Sequence, residues 1–188
     1  MHVLFIDTHD TIISVGLMVN EEVYVSQKES HYEHGVFLMS MISELIESHS
    51  LTIKDIDKIV AVNGPGSFTG LRIGLTDAKM FAYLLDKPIY LVDSLASYLV
   101  SSDIKGKKKA IIEDNKGYYV MKQDDDQKML GEEYIEELNE DDYPVVDNKI
   151  DVKKVIDYAL TLESTPAHLV RANYVKKIEV EKWFLKIF

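Results

Sequence analysis

At 188 residues the chain can form one domain or two small lobes with a real core, and it is too short for a long multidomain architecture. Hydrophobic residues make up 46% and charged ones 28%, with 4 Pro and no Cys, a globular balance that excludes a disulfide framework, Cys-ligated zinc, an iron–sulfur cluster and a thiol nucleophile. A net charge of −11 argues against the chain alone gripping nucleic acid, although ten of its 32 acidic residues and only one of its 21 basic residues fall within 124–142, leaving the remainder close to neutral.

The first residues read as strands at 2–6, 12–19 and 23–25, separated by the turn-forming DTHDT (7–11) and NEE (20–22), so an antiparallel meander is expected. Apolar spacing then turns helical over 33–49. A strand at 58–62 runs into a glycine-rich turn, a helix is expected over 71–85, and a strand at 89–92 and a helix at 94–100 follow. Hairpins followed by strand–helix alternation predict a mixed sheet with a parallel part covered by helices. The lysine-rich stretch 101–109 is the expected boundary between lobes, 1–102 and 103–188. Beyond it, strands are expected at 109–112 and 118–122, then the acidic strip as a solvated loop, a strand at 143–146, a helix over 151–162, and a tail ending at Trp183, Phe184 and Phe188. No run approaches the roughly 18 to 20 apolar residues of a membrane span. The first residues also lack the basic and apolar pattern of an export signal, so a soluble cytoplasmic protein is expected.

The most unusual segment is GPGSFTGLRIG at 64–74, with four glycines between a strand and a helix. Glycines there let backbone approach closely, and a following helix N-terminus offers free N–H groups to an anion. The segment is neither a Walker A loop nor a dinucleotide fingerprint, because it lacks Gly-Lys-Ser/Thr and the GxGxxG spacing. The competing reading is close packing, with Gly70 and Gly74 removing side chains from one helix face.

Residues 63–79, together with Ile6, Asp7 and Thr8 after the first strand, His34 at the first helix and PIYLVDSL at 88–95, resemble the signature of the TsaB (YeaZ) family over roughly residues 1–100. In the second half only TPAHLVR at 165–171 resembles a family element, in altered form. The resemblance implies an α/β, actin-like (ASKHA, RNase-H-like) two-lobe fold, with a mixed five-stranded sheet in the first lobe and a smaller, truncated second lobe. It also implies a non-catalytic scaffold for a TsaD-type threonylcarbamoyltransferase and a TsaE-type ATPase in synthesis of N6-threonylcarbamoyladenosine at position 37 of ANN-decoding tRNAs. On that reading tRNA is met only through the complex, the chain can pair with itself, and no membrane is involved. The alternatives are an ATP-binding phosphotransferase and a glycoprotease-like metallopeptidase of the same superfamily.

The residues themselves offer little chemistry, and neither catalytic, cofactor nor metal residues are expected. Where TsaD-type enzymes carry a His-x-x-x-His metal pair, the matching positions here are Ser94 and Tyr98, which do not ligate as imidazole does. His31 and His34 alone make a weak metal pattern, and Asp7 and Thr8 read more simply as a turn than as a phosphate or Mg²⁺ site. Ser67 has no evident base. Both long helices carry more apolar residues than one buried stripe requires. The partner surface implied by the family is therefore expected at His34, Phe37, Met41, Leu45, Arg72, Ile73, Leu75, Lys79 and Met80.

Overall fold

Alternation along the first strands builds a sheet with two buried faces. Within β1 (His2–Asp7), Val3 and Phe5 join one hydrophobic cluster and Leu4 and Ile6 the other. β2 (Ile12–Val19) and β3 (Glu22–Glu29) complete the antiparallel meander. The computed structural model of the chain describes residues 1–31 and 33–175, and the tail containing Trp183 lies outside them. After α1 (His34–Glu47), β4 (Lys58–Val62) pairs parallel with β1. After α2 (Phe68–Leu85), β5 (Ile89–Val92) pairs parallel with β4. The strand order is β3-β2-β1-β4-β5, the mixed five-stranded sheet of the RNase-H-like, actin-like class.

One face of this sheet is covered by α1 and α2, through Leu38, Met41, Ile42, Ile46, Leu75 and Phe81. The other face meets α3 (Ser94–Ser101) and α4 (Val152–Ala159). In chain order between these two helices comes a second antiparallel sheet of β6 (Lys108–Asp114), β7 (Gly117–Gln123) and β8 (Met129–Ile135), which packs against α3. Ala110 and Met121 of that sheet share a cluster with Phe5, Val60 and Leu95, so hydrophobic packing is continuous across the boundary expected near residue 102.

Three expectations for the second half change. The acidic strip is not one open loop, because seven of its residues form β8. Its carboxylates are also engaged: Asp141 pairs with Lys109 and Lys122 at 2.7 and 2.9 Å, and Asp142 pairs with Lys107. The hydrogen bonds from Lys109 and then Lys122 hold the Asp141 carboxyl below its ordinary range. The strand expected at 143–146 reduces to an isolated bridge between Lys109 and Val145, next to Pro144, which has no N–H to extend a ladder. α4 is shorter than expected; Asp151 caps its start by accepting from Lys154 N, and the chain turns away after Ala159.

The C-terminal strap, residues 163–175, returns to the first sheet. Thr165 N donates to the Ile89 carbonyl at 2.7 Å, and Val170 is buried beside α2 and the sheet. A short 3₁₀ turn, Ala167–Leu169, lies within the altered family element.

The glycine segment resolves in favour of packing. Ser67 caps α2 by accepting from Gly70 N, so the helix starts three residues earlier than expected, at Phe68. Its first turns lie directly on the β1–β2 turn: the Ser67 N–H donates to the His9 carbonyl at 2.7 Å, and the Thr8 hydroxyl donates to the Gly70 carbonyl at 2.7 Å. A Cβ on Gly70 would overlap the Thr8 carbonyl oxygen, and one on Gly74 the Thr8 hydroxyl. Gly70→Ala is therefore expected to lower the unfolding free energy by about 1–3 kcal/mol. Urea unfolding reads this directly, and a Gly70→Ala chain as stable as its parent would contradict the close approach.

Candidate functional site

The β1–β2 turn carries a buried polar cluster. Asp7, Thr8 and His9 are all buried. Asp7 Oδ1 accepts from the His9 backbone N–H at 3.0 Å and from His9 Nδ1 at 2.6 Å. His9 Nε2 lies 2.7 Å from the Tyr98 hydroxyl of α3. Burial pulls the His9 pKa down, but the Asp7 charge and hydrogen bond, with the Asp10 charge behind them, outweigh it and raise the value above 6.5. Burial first, and then the charges of Asp7 and Asp10, push the Tyr98 phenol well above its ordinary value, so it stays protonated. Both ring nitrogens of His9 are thus occupied, and Thr8 is committed to Gly70. The side chains that sequence reasoning weighed as a phosphate or Mg²⁺ site hold the turn together.

Ser94 and Tyr98, at the positions matching the enzyme's imidazole pair, differ in environment. Tyr98 is bound to His9, whereas the Ser94 hydroxyl is buried without a hydrogen-bond partner. His34 is buried and its Nε2 donates to the Asp10 carbonyl at 2.7 Å, tying the start of α1 to the same turn, while His31 is exposed beside Glu29. Among the described residues no group of three or more His, Cys, Asp or Glu side chains is placed to hold a metal ion.

Beside the cluster opens a cleft of about 1020 Å³ between the β1–β2 turn, the start of α2 and the β6–β7 turn. Its lining includes His9, Asp10, Phe68, Tyr98, Glu113 and Asp114, and no described lining residue is Lys or Arg. The carboxylates of Asp10, Glu113 and Asp114 repel the charge of a triphosphate, so this lining makes a poor cradle for one.

The residues expected at a partner surface divide into three groups. His34, Met41 and Leu75 are buried within the chain and belong to its interior, because their helix faces point to the sheet and the β1–β2 turn. Phe37, Leu45, Ile73 and Lys79 are half-buried. Arg72 and Met80 are exposed, but Arg72 packs 3.8 Å over the Phe68 ring and donates to the Tyr174 hydroxyl, and Lys79 donates to the His168 carbonyl, so the strap engages both cations. Ile46 of α1 and Phe81 of α2 are core residues as well.

The exposed apolar face of α1 and α2 is instead built from Val36, Met39, Met80, Tyr83 and Leu84, three of them about 70% exposed or more: Val36 at 69%, Tyr83 at 74% and Leu84 at 70%. Between the helices runs a groove lined by Gly35, Met39, Phe68, Arg72, Ile73 and Thr76. The signal for Val36, Met39 and Leu84 was present as surplus hydrophobicity. Phe68 lies before the helix that spacing predicts over 71–85, so the sequence alone reads it as part of the glycine turn.

The buried cluster makes a prediction about pH. His9 has a raised pKa in the folded chain, so its stabilisation is complete below the unfolded value near 6.5 and is lost as pH rises through the folded value. Asp7→Asn removes the charge that holds the proton. Its stability deficit against the parent is expected to be larger at pH 5.5 than at pH 8.5. Urea midpoints across that range measure the difference, and a deficit independent of pH would contradict it.

A family model described as "TsaD: tRNA N6-adenosine threonylcarbamoyltransferase" matches residues 19–148. The tRNA threonylcarbamoyladenosine biosynthesis protein TsaB of Bacillus subtilis (strain 168) is 37% identical over 98 residues, 50% of this chain and 42% of that protein. The protein of the same name from Buchnera aphidicola subsp. Schizaphis graminum is 29% identical over 110 residues, 58% of this chain and 52% of that protein. The chain thus spans about half the length of these curated relatives. The solved structure of YeaZ from Pseudomonas aeruginosa superposes with a TM-score of 0.78 at 18% identity, covering 92% of this chain and all of that one, and so shares its fold. The chain belongs to the family of that TsaD model, in its TsaB (YeaZ) group.

Proposed function

We propose that the chain serves N6-threonylcarbamoyladenosine synthesis on tRNA as a non-catalytic subunit, binding a TsaD-type transferase through the outer face of α1 and α2. The observation that carries this reading is the contrast between its two surfaces. The polar groups beside the cleft are spent on one another, with His9 held by Asp7 and Tyr98, whereas Val36, Met39, Met80, Tyr83 and Leu84 lie exposed on neighbouring helices. Family membership supports a TsaD-type transferase as the occupant of that face. The match to a model of the transferase family supports a partner built on a related fold, since two related folds can pair face to face about a pseudo-two-fold axis. The same geometry lets the chain pair with itself when the transferase is absent. The TsaE-type ATPase joins the pair, and tRNA is met through the complex, in keeping with the net charge of −11.

Reconstitution tests the reading. The cognate TsaC-type, TsaD-type and TsaE-type proteins with substrate tRNA are expected to threonylcarbamoylate efficiently only when this chain is added. A reaction that runs equally well without it would refute the role. At the surface, a Met80→Asp, Leu84→Asp double variant is expected to keep its fold, since both side chains are exposed, and to weaken complex formation about tenfold or more. Unchanged affinity in titration calorimetry would move the interface elsewhere.

A further inference from the structure

Three stretches distant in sequence meet at one side-chain amide. Asn173 of the strap hydrogen-bonds through its backbone N–H to the Asn63 carbonyl at 2.7 Å. Its side-chain nitrogen donates both to Asp93 Oδ2 at 3.1 Å and to Glu132 Oε1 at 2.6 Å. Asp93 is the cap of α3, where its Oδ1 accepts from Leu95 N and Ala96 N at 2.7 and 3.2 Å. Glu132 lies on β8 of the second sheet. Two carboxyl groups, one from the start of α3 and one from β8, therefore converge on one neutral amide. The remaining Glu132 oxygen, Oε2, is buried without a hydrogen-bond partner, an orphaned acceptor that a proton held between the two carboxyls would satisfy.

We propose that Asp93 and Glu132 share one proton and, with Asn173 between them, form a clasp that fastens β8 and the C-terminal strap to the start of α3 and opens when both carboxyls are charged. Two like charges this close in a half-buried site disfavour joint ionisation. The environment agrees: burial first, then the hydrogen bond and charge of Glu132, push the Asp93 carboxyl up to about 8, against the opposing backbone N–H groups of Ala96 and Leu95. Among the described residues Tyr158 on α4 also feels the pair, its phenol raised by burial and then by the Asp93 charge. The strap contributes Asn173, which is uncharged, and Tyr98 of α3 faces His9 instead. The sign follows. A carboxyl whose folded pKa lies above its unfolded value of 3.8 binds its proton more tightly in the folded chain, so stability is lost as pH rises from there through about 8.

Hydrogen exchange on the full chain tests the clasp, with rates at pH 6 and pH 9 corrected for the intrinsic pH dependence. Amides of β8 and of residues 170–174 are expected to open about tenfold or more often at pH 9 in the parent. In Asp93→Asn, which keeps the cap acceptor and mimics the protonated side chain, that increase is expected to vanish. A parent without the increase, or an Asp93→Asn chain that retains it, would overturn the proposal. Carboxyl-carbon NMR on the parent gives an answer even where the variant fails to fold. One of the two carboxyls titrating near pH 8 supports the clasp, and both fully ionised by pH 6 would overturn it.

Discussion

The contact between the start of α2 and the β1–β2 turn is the constraint on which the rest of the molecule depends. Two hydrogen bonds, Ser67 N–H to the His9 carbonyl and the Thr8 hydroxyl to the Gly70 carbonyl, fix the helix at a separation that no side chain at Gly70 would permit. That separation sets the depth at which α2 sits on the sheet. It therefore decides which residues sink into the core, as Leu75, Ala78 and Phe81 do, and which remain outside, as Met80, Tyr83 and Leu84 do. The same turn orients Asp7 and His9 toward Tyr98, and α1 is anchored to it by His34. One short loop thus positions both long helices and the buried cluster beside the cleft.

Much of the first half was legible because its signals are local and strong. Compact apolar runs in β1, β2 and β4 and the short turns between the first strands predict the observed sheet, whose parallel pairs follow from the intervening helices. The glycine segment announced a close approach, but not what approaches it, since the Thr8 carbonyl lies some sixty residues away in sequence. Surplus hydrophobicity on α1 and α2 was readable too, yet its division between core and surface was not. Met41 and Leu75 turn inward by the angle at which each helix lies on the sheet, which spacing alone does not give.

The second half was less legible for a different reason. Its charges mask its pattern: β8 reads as part of an acidic strip because Glu132 and Glu133 interrupt any apolar run, and the strand is recognisable only once Tyr118, Tyr119 and Val120 of β7 supply its partners. The ion pairs of Asp141 with Lys109 and Lys122 join residues that look like solvated charge in the sequence. The strap was harder still, since its order comes from side-chain contacts with Phe68, Arg72, Lys79 and Asp93 and not from any period of its own.

The proposed division of labour, an interior closed on itself and an outer helix face left for a partner, is tested most directly by locating contact on the assembled complex. Hydrogen exchange and side-chain footprinting of the full chain, alone and mixed with its TsaD-type partner, report which residues lose solvent. The expected result is protection concentrated at Val36, Met39, Met80, Tyr83 and Leu84, with the cleft around Glu113 and Asn115 unchanged. Protection confined to the cleft, with those helix residues as exposed as in the free chain, would contradict it.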